Sequence, residues 1–178
     1  MEVNEPIVTI TVQTVHFEGP DAVRVQLSPS AEDAARWVHE PGAFITFSIT
    51  PTLQRSYTLV NRVGSFPLEI VVRSIRGGKG SRFFNEVAQV GNVMRVVPPR
   101  SHLWRSEWNH EPTHFVCFAG GIGITPIFSL IQHALLHPDL GHRITLFYSN
   151  RSRRHEIFGD LLQAWSDRIE FIPLYSED

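Results

Sequence analysis

His114-Phe115-Val116-Cys117-Phe118-Ala119 runs straight into Gly120-Gly121-Ile122-Gly123-Ile124-Thr125-Pro126. A continuous apolar run of this length reads as a buried parallel strand. The following residues, 127–136, carry apolar side chains at helical spacing, and Pro126 stands in a first-turn position where its missing N–H is harmless. Residues 143–148 read as a second buried strand, 154–165 as a second helix and 169–174 as a third strand. Strand–helix–strand–helix–strand predicts a doubly wound parallel sheet. A glycine turn alone says little. One that follows a buried strand and opens a helix in such a unit lets a nucleotide pyrophosphate approach the backbone closely.

Upstream, residues 100–112 are polar, with His and Trp but no clear period, and most of them read as a linker. Before them come short runs with turn signals between. Residues 7–17 alternate, with Val8, Ile10 and Val12 against Thr9, Thr11 and Gln13. Glu18-Gly19-Pro20-Asp21 makes a turn, and 22–27 is a second strand. Residues 31–39 allow one or two helical turns, ended by Pro41-Gly42. Further strands are expected at 43–49, 55–60, 68–74 and 93–97, the last stopped by Pro98-Pro99. This pattern predicts an antiparallel sandwich or barrel over roughly the first hundred residues.

Two stretches of that first half carry chemistry. Arg55-Ser56-Tyr57-Thr58 places a fixed cation, a flat aromatic and two hydroxyls in one strand. Alternation puts Arg55 and Tyr57 on one side. A guanidinium fork suits a phosphate, and a Tyr ring suits a planar heterocycle. An ordinary strand with a surface Arg and a half-buried Tyr fits the same residues. The second stretch, Gly77-Gly78-Lys79-Gly80-Ser81, opens an amphipathic segment with Ser81 expected as N-cap. Such a turn presents N–H groups to an anion, although a flexible hairpin loop before a self-capped helix is the plainer reading.

Composition excludes several classes. With 178 residues, 42% hydrophobic and 19% charged, the chain can bury a core and is not a disordered segment. A net charge of −2 gives no global attraction to nucleic acid or membrane. No apolar run is long enough to span a bilayer, and Met1-Glu2-Val3-Asn4-Glu5 does not begin a signal peptide. Cys117 is the single cysteine, which excludes an internal disulfide and suits a reducing, cytoplasmic setting. His133 and His137 are spaced as a metal pair, but no third ligand accompanies them, so no metal is expected. Trp104, Trp108 and His102 fit either a cover over a nucleotide or packing between lobes.

Together, Arg55-Ser56-Tyr57-Thr58, Gly78-Lys79-Gly80-Ser81 and Gly121-Ile122-Gly123-Ile124-Thr125-Pro126 resemble R-x-Y-[ST], G-x-x-[ST] and G-x-G-x-x-P of the ferredoxin–NADP reductase superfamily. Reductase components of bacterial oxygenases are the nearest in pattern. Pro41-Gly42-Ala43-Phe44 is similar to P-G-Q-F, and Tyr148-Ser149-Asn150-Arg151 to Y-G-N-R. The resemblance implies a six-stranded antiparallel β-barrel that binds flavin (1–104), a linker (105–112) and a partial doubly wound α/β nucleotide-binding domain (113–178). It implies FAD rather than FMN, NADPH or NADH as donor, and a ferredoxin or oxygenase component as redox partner. Tyr57 would stack on the flavin, Thr58 would bond near its N5, and Arg55 would neutralise its phosphate. Ser56 belongs to the same motif. Val72 and Arg73 would follow the ribityl chain, while Gly78, Gly80 and Ser81 would hold the pyrophosphate. Gly120, Gly121, Gly123, Thr125 and Pro126 would face the nicotinamide dinucleotide, with Asn150 and Arg151 beyond them. Tyr57, Thr58 and Thr125 would stand nearest the transfer, and no general base is required.

The sequence also departs from the family pattern. Pro98-Pro99-Arg100-Ser101-His102-Leu103-Trp104 lacks the glycine of P-x-G-x-F, and the family's later strands and cysteine-containing segment have no counterpart before Asp178. Flavin binding is expected to survive and nicotinamide binding, hence activity, to be weakened. The other class in play is a non-catalytic flavin-binding module. Arg151, Arg153 and Arg154 suit a ribose 2′-phosphate and so lean toward NADPH, or form a solvated basic loop.

Overall fold

A computed structural model describes residues 7–177. The acidic stretch at the N-terminus, read above as lacking a signal, lies outside the described residues. Six strands form one antiparallel sheet: β1 (Val8–Phe17), β2 (Ala22–Pro29), β3 (Phe44–Thr50), β4 (Leu53–Thr58), β5 (Leu68–Arg73) and β6 (Val93–Arg100). Their order is β4-β3-β6-β1-β2-β5. Among the described residues the two edges meet at the isolated bridge Leu59↔Ile70, so the barrel is curled but not closed by a full ladder. The expected alternation holds, with Val8, Ile10 and Val12 turned inward onto Val25, Leu27, Ile45, Phe47 and Ile70. Trp37, from a 3-10 helix over Ala31–Trp37, joins the same core.

One boundary differs from expectation. β6 continues through Pro98 and Pro99 to Arg100. Opposite it, Phe44 pairs Arg100 and Thr46 pairs Val97, three steps against two. The prolines sit in this bulge, where no ladder N–H is demanded of them.

A parallel sheet of β7 (His114–Gly120), β8 (Arg143–Asn150) and β9 (Glu170–Tyr175) forms the second layer system. A short helix α1 (Lys79–Arg82), continued by a π-helical turn over Phe83–Val87, belongs to the first sheet. α2 (Ile124–Leu136) and α3 (Gly159–Ala164) connect the parallel strands. Both pack on the face carrying Phe115, Ala119, Leu146 and Tyr148. The apolar run of β7 is therefore buried on one side only, contrary to expectation. Val116 and Phe118 are 53% and 72% exposed because no described helix lies on their face.

The second helix is also shorter than its period suggests. Residues 153–155 form a 3-10 turn, 156–158 are irregular, and α3 starts only at Gly159. Tertiary partners capture this backbone. The Ile157 N–H donates to the Tyr148 hydroxyl at 3.1 Å, and the Phe158 N–H to Glu18 Oε1 at 3.2 Å. Phe158 takes φ 61°, a left-handed conformation rare for a bulky residue. There its ring stacks on Phe128 with centroids 3.8 Å apart and lies under Arg24.

The two sheets share a seam. Ala22, Val60 and Val71 of the antiparallel sheet join the core of the parallel one. The Gly42 N–H donates to Ser129 Oγ at 3.0 Å. Trp104 packs into the parallel sheet's core, edge-on to His133 and Trp108 at 4.8 and 5.4 Å.

Candidate functional site

β4 is an edge strand, and its register with β3 puts Arg55 opposite Phe47 and Tyr57 opposite Ile45. Both side chains face the first turn of α1. A Cβ added to Gly80 would lie 2.7 Å from Arg55 Cγ and 3.0 Å from the Tyr57 hydroxyl. Only glycine lets the turn sit this close. The Tyr57 ring is wedged edge-on against Phe47 and Phe84, at 5.8 and 5.1 Å. Burial pushes its phenol above the ordinary range, against the pull of the Arg55 cation, so it remains an O–H donor at neutral pH.

Ser81 does not cap the helix. The N-cap is Gly78, without a side-chain bond. Ser81 Oγ instead accepts from the Ile75 N–H at 3.1 Å and donates to the Gly78 carbonyl at 3.0 Å. It staples the glycine turn from inside. A three-residue shift of the helix start, from Ser81 to Gly78 as N-cap, made this position a tie rather than a cap.

The third segment arrives from the parallel sheet. Gly120 ends β7, Gly121–Gly123 form a single 3-10 turn, and α2 begins at Ile124. Thr125 Oγ1 donates to the Ile122 carbonyl at 3.1 Å, fixing the start of α2. Ile122 and Thr125 close a cavity of about 300 Å³ whose other walls include Arg55–Thr58, Val72, Arg73, Gly78, Gly80 and Ser81. Three stretches read separately in the sequence thus line one space. Val71, Ile75 and Ile122 also line it; Ile122 lies inside the glycine motif, whereas no motif pointed to Val71 or Ile75. Val71 was detectable only as a neighbour of Val72.

Of the remaining candidates, Gly121, Asn150 and Arg151 line a second cavity of about 260 Å³, together with Ser149. Asn150 is 6% exposed, and neither of its amide atoms meets a hydrogen-bond partner among the described residues. It lies beside the Tyr148 phenol, whose pKa burial raises and the Asn150 amide draws back down, so the amide is near the phenol although no hydrogen bond of full geometry joins them. Gly120 and Gly123 face open space, with nothing within 4 Å of an added Cβ. Pro126 sits in the first turn of α2 and lines neither cavity. Arg73 lines both. The basic cluster is divided: Arg151 faces the second cavity, whereas Arg153 and Arg154 face a larger one of about 690 Å³, shared with Glu18, Glu156 and Asp160. His133 and His137 pack ring to ring at 4.5 Å, and Trp104 covers His133.

A family profile described as oxidoreductase NAD-binding domain matches residues 117–175. The chain is 35% identical over 176 residues to a flavohemoprotein of Schizosaccharomyces pombe, covering 90% of this chain and 40% of that protein. It is 27% identical over 167 residues to the ferredoxin reductase component of a 3-ketosteroid-9-alpha-monooxygenase from Rhodococcus rhodochrous, covering 90% and 46%. In fold it is similar to phthalate dioxygenase reductase, with a TM-score of 0.82, 22% identity, and coverage of 96% and 52%. The chain spans about half or less of the length of these relatives.

Proposed function

Since this chain belongs to the ferredoxin–NADP reductase superfamily, we propose that it is an NAD(P)H-dependent flavin oxidoreductase that passes electrons to a protein acceptor. One observation carries the reading: segments around Tyr57, Gly80 and Thr125 converge on one cavity. The residues present fit the two groups this implies. The Gly80 cradle, which a Cβ would fill, suits a flavin phosphate beside the Arg55 guanidinium. The orphaned amide of buried Asn150 suits the hydroxyls and phosphates of a dinucleotide.

The division of labour follows. Residues 1–104 hold the flavin, 105–112 connect, and 113–178 receive the nicotinamide dinucleotide. Arg55 neutralises phosphate, while Gly78, Gly80 and Ser81 shape the turn that receives it. Ser56 and Thr58 offer hydroxyls on the cavity wall, and Tyr57 offers its ring. Val72 lines the cavity floor, with Arg73 at its end. Gly120, Gly121 and Gly123 leave room for close backbone approach, Thr125 borders both bound groups, and Pro126 starts α2. Asn150 and Arg151 bind the far half of the dinucleotide. When bound, the flavin and nicotinamide supply the hydride and single-electron chemistry; the protein supplies orientation and the exclusion of water.

FAD is favoured over FMN by the motif set. Arg151 favours NADPH over NADH, although Arg153 and Arg154 turn elsewhere. Similarity to reductase components of oxygenase systems supports a ferredoxin or oxygenase component as acceptor. The lone Cys117 supports a reducing, cytoplasmic setting. Among the described residues, no helix is long and apolar enough to cross a membrane. The test is an absorbance spectrum of the purified protein followed by anaerobic addition of NADPH, then NADH. Flavin bands that bleach support the proposal. Bands that persist would make the chain a non-catalytic flavin-binding module, and a protein colourless even after reconstitution with FAD and FMN would end both readings.

A further inference from the structure

Arg73 is the last residue of β5, and its side chain is only 17% exposed. Its guanidinium leaves the antiparallel sheet and enters the seam between the sheets. Nε donates to Asp21 Oδ1 at 3.1 Å, in the turn between β1 and β2. Nη2 donates to the His155 carbonyl at 2.6 Å, in the loop after β8. Nη1 lies so close to Gly121 that a Cβ there would collide with it. One planar group therefore touches the β1–β2 turn, the glycine turn and the loop before α3. From beneath, the buried Tyr148 hydroxyl donates to the Gly121 carbonyl at 3.1 Å and accepts from the Ile157 N–H. The turn is fixed from two directions, one within its own lobe and one across the seam.

We propose that Arg73, held by Asp21, is a positioning residue that clamps the glycine turn and the 153–157 loop of the parallel lobe onto the antiparallel sheet. This rests on the functional reading above and adds to it. The clamp sets the separation of the two cavities, which Arg73 alone among their lining residues shares. A donor and an acceptor group held in separate lobes react only at the distance the seam allows. Three simultaneous contacts need a rigid fork, which an ammonium cannot provide.

The test uses the full chain, reconstituted with FAD, as wild type, Arg73→Gln, Arg73→Lys, Asp21→Asn and the Asp21→Asn/Arg73→Gln double variant. Amide hydrogen exchange reads residues 119–124 and 153–158. Anaerobic stopped-flow mixing with NADPH reads flavin reduction, and fluorescence quenching reads flavin affinity. Faster exchange in both segments is expected for Arg73→Gln, measured at saturating FAD because Arg73 also lines the flavin cavity. Flavin reduction is expected to slow by about tenfold or more, since displacements near 1 Å can cost that much. Arg73→Lys should not restore the rate. Asp21→Asn should show a milder form of both effects and add nothing to Arg73→Gln, because the two residues act as one unit. Unchanged exchange and rate in Arg73→Gln would overturn the clamp. A slower rate without faster exchange would also overturn it, since Arg73 would then act on the flavin alone. If wild type binds flavin but is not reduced by either nicotinamide, the functional reading fails, while the exchange measurement still decides the clamp.

Discussion

The cavity beside β4 and the cavity beside β8 meet at Arg73, yet they are finished differently. In the first, the framing groups already have partners. Ser81 Oγ is spent on the turn, Tyr57 is wedged between two phenylalanines, and Gly80 is packed against Arg55. In the second, among the described residues, buried Asn150 makes no hydrogen bond of full geometry, and Gly120 and Gly123 face open space. Unpaired buried amides are costly and call for a partner. The first arrangement is pre-shaped for a resident group. The second suits a ligand that arrives, completes the hydrogen bonds and leaves.

The most damaging way to break the contrast is to fill the first cavity's cradle. Gly80→Val would drive a side chain into Arg55 and Tyr57, and flavin affinity should fall about a hundredfold. Equilibrium titration of the apoprotein with FAD measures it. Removing the phosphate partner is next: Arg55→Ala should cost about thirtyfold in the same titration, the value of a charge-assisted hydrogen bond. Gly121→Ala attacks the other side. The residue has φ 48° and lies against Arg73, so KM for NADPH should rise about tenfold while flavin affinity stays put. A rise confined to the flavin titration would erase the distinction between the cavities. Tyr148→Phe strands the Gly121 carbonyl and the Ile157 N–H, and should lower stability by about 1–3 kcal/mol in urea unfolding.

The smallest effect concerns pH and lies away from both cavities. His133 is held below its ordinary value of 6.5, first by burial and then by His137 and His142. Its neutral form is favoured in the folded state, so the unfolded chain binds the extra proton first. Stability from this group is intact above pH 6.5 and is lost as pH falls through that value toward the lowered folded one. Urea midpoints at pH 7.5 and 5.5 should differ less in His133→Gln than in wild type. Burial lowers His39 in the same direction, so some acid sensitivity will remain.

Much of this molecule follows from local pattern. Val8, Ile10 and Val12 alternate and point inward because a strand's side chains must, and Ile124–Leu136 is helical because its apolar residues recur at that period. The three glycine and aromatic motifs stand where read, since each depends on backbone conformation within a few residues. Where long-range contacts compete, local pattern loses. The 154–158 stretch has helical character, but Tyr148, Glu18 and Phe128 hold it open. Pro98 and Pro99 do not stop β6, since a bulge absorbs them. Phe118 is apolar yet exposed, because burial depends on what covers a face.

Local chemistry, then, was enough to name the groups that could grip a flavin and a dinucleotide, because strand parity, glycine freedom and helix starts are short-range properties. That Arg55, Gly80 and Thr125 border one cavity, that Asn150 lacks a partner, and that Arg73 spans the seam all came from packing. Such facts join residues far apart in the chain, and only the burial of shared apolar surface brings them together.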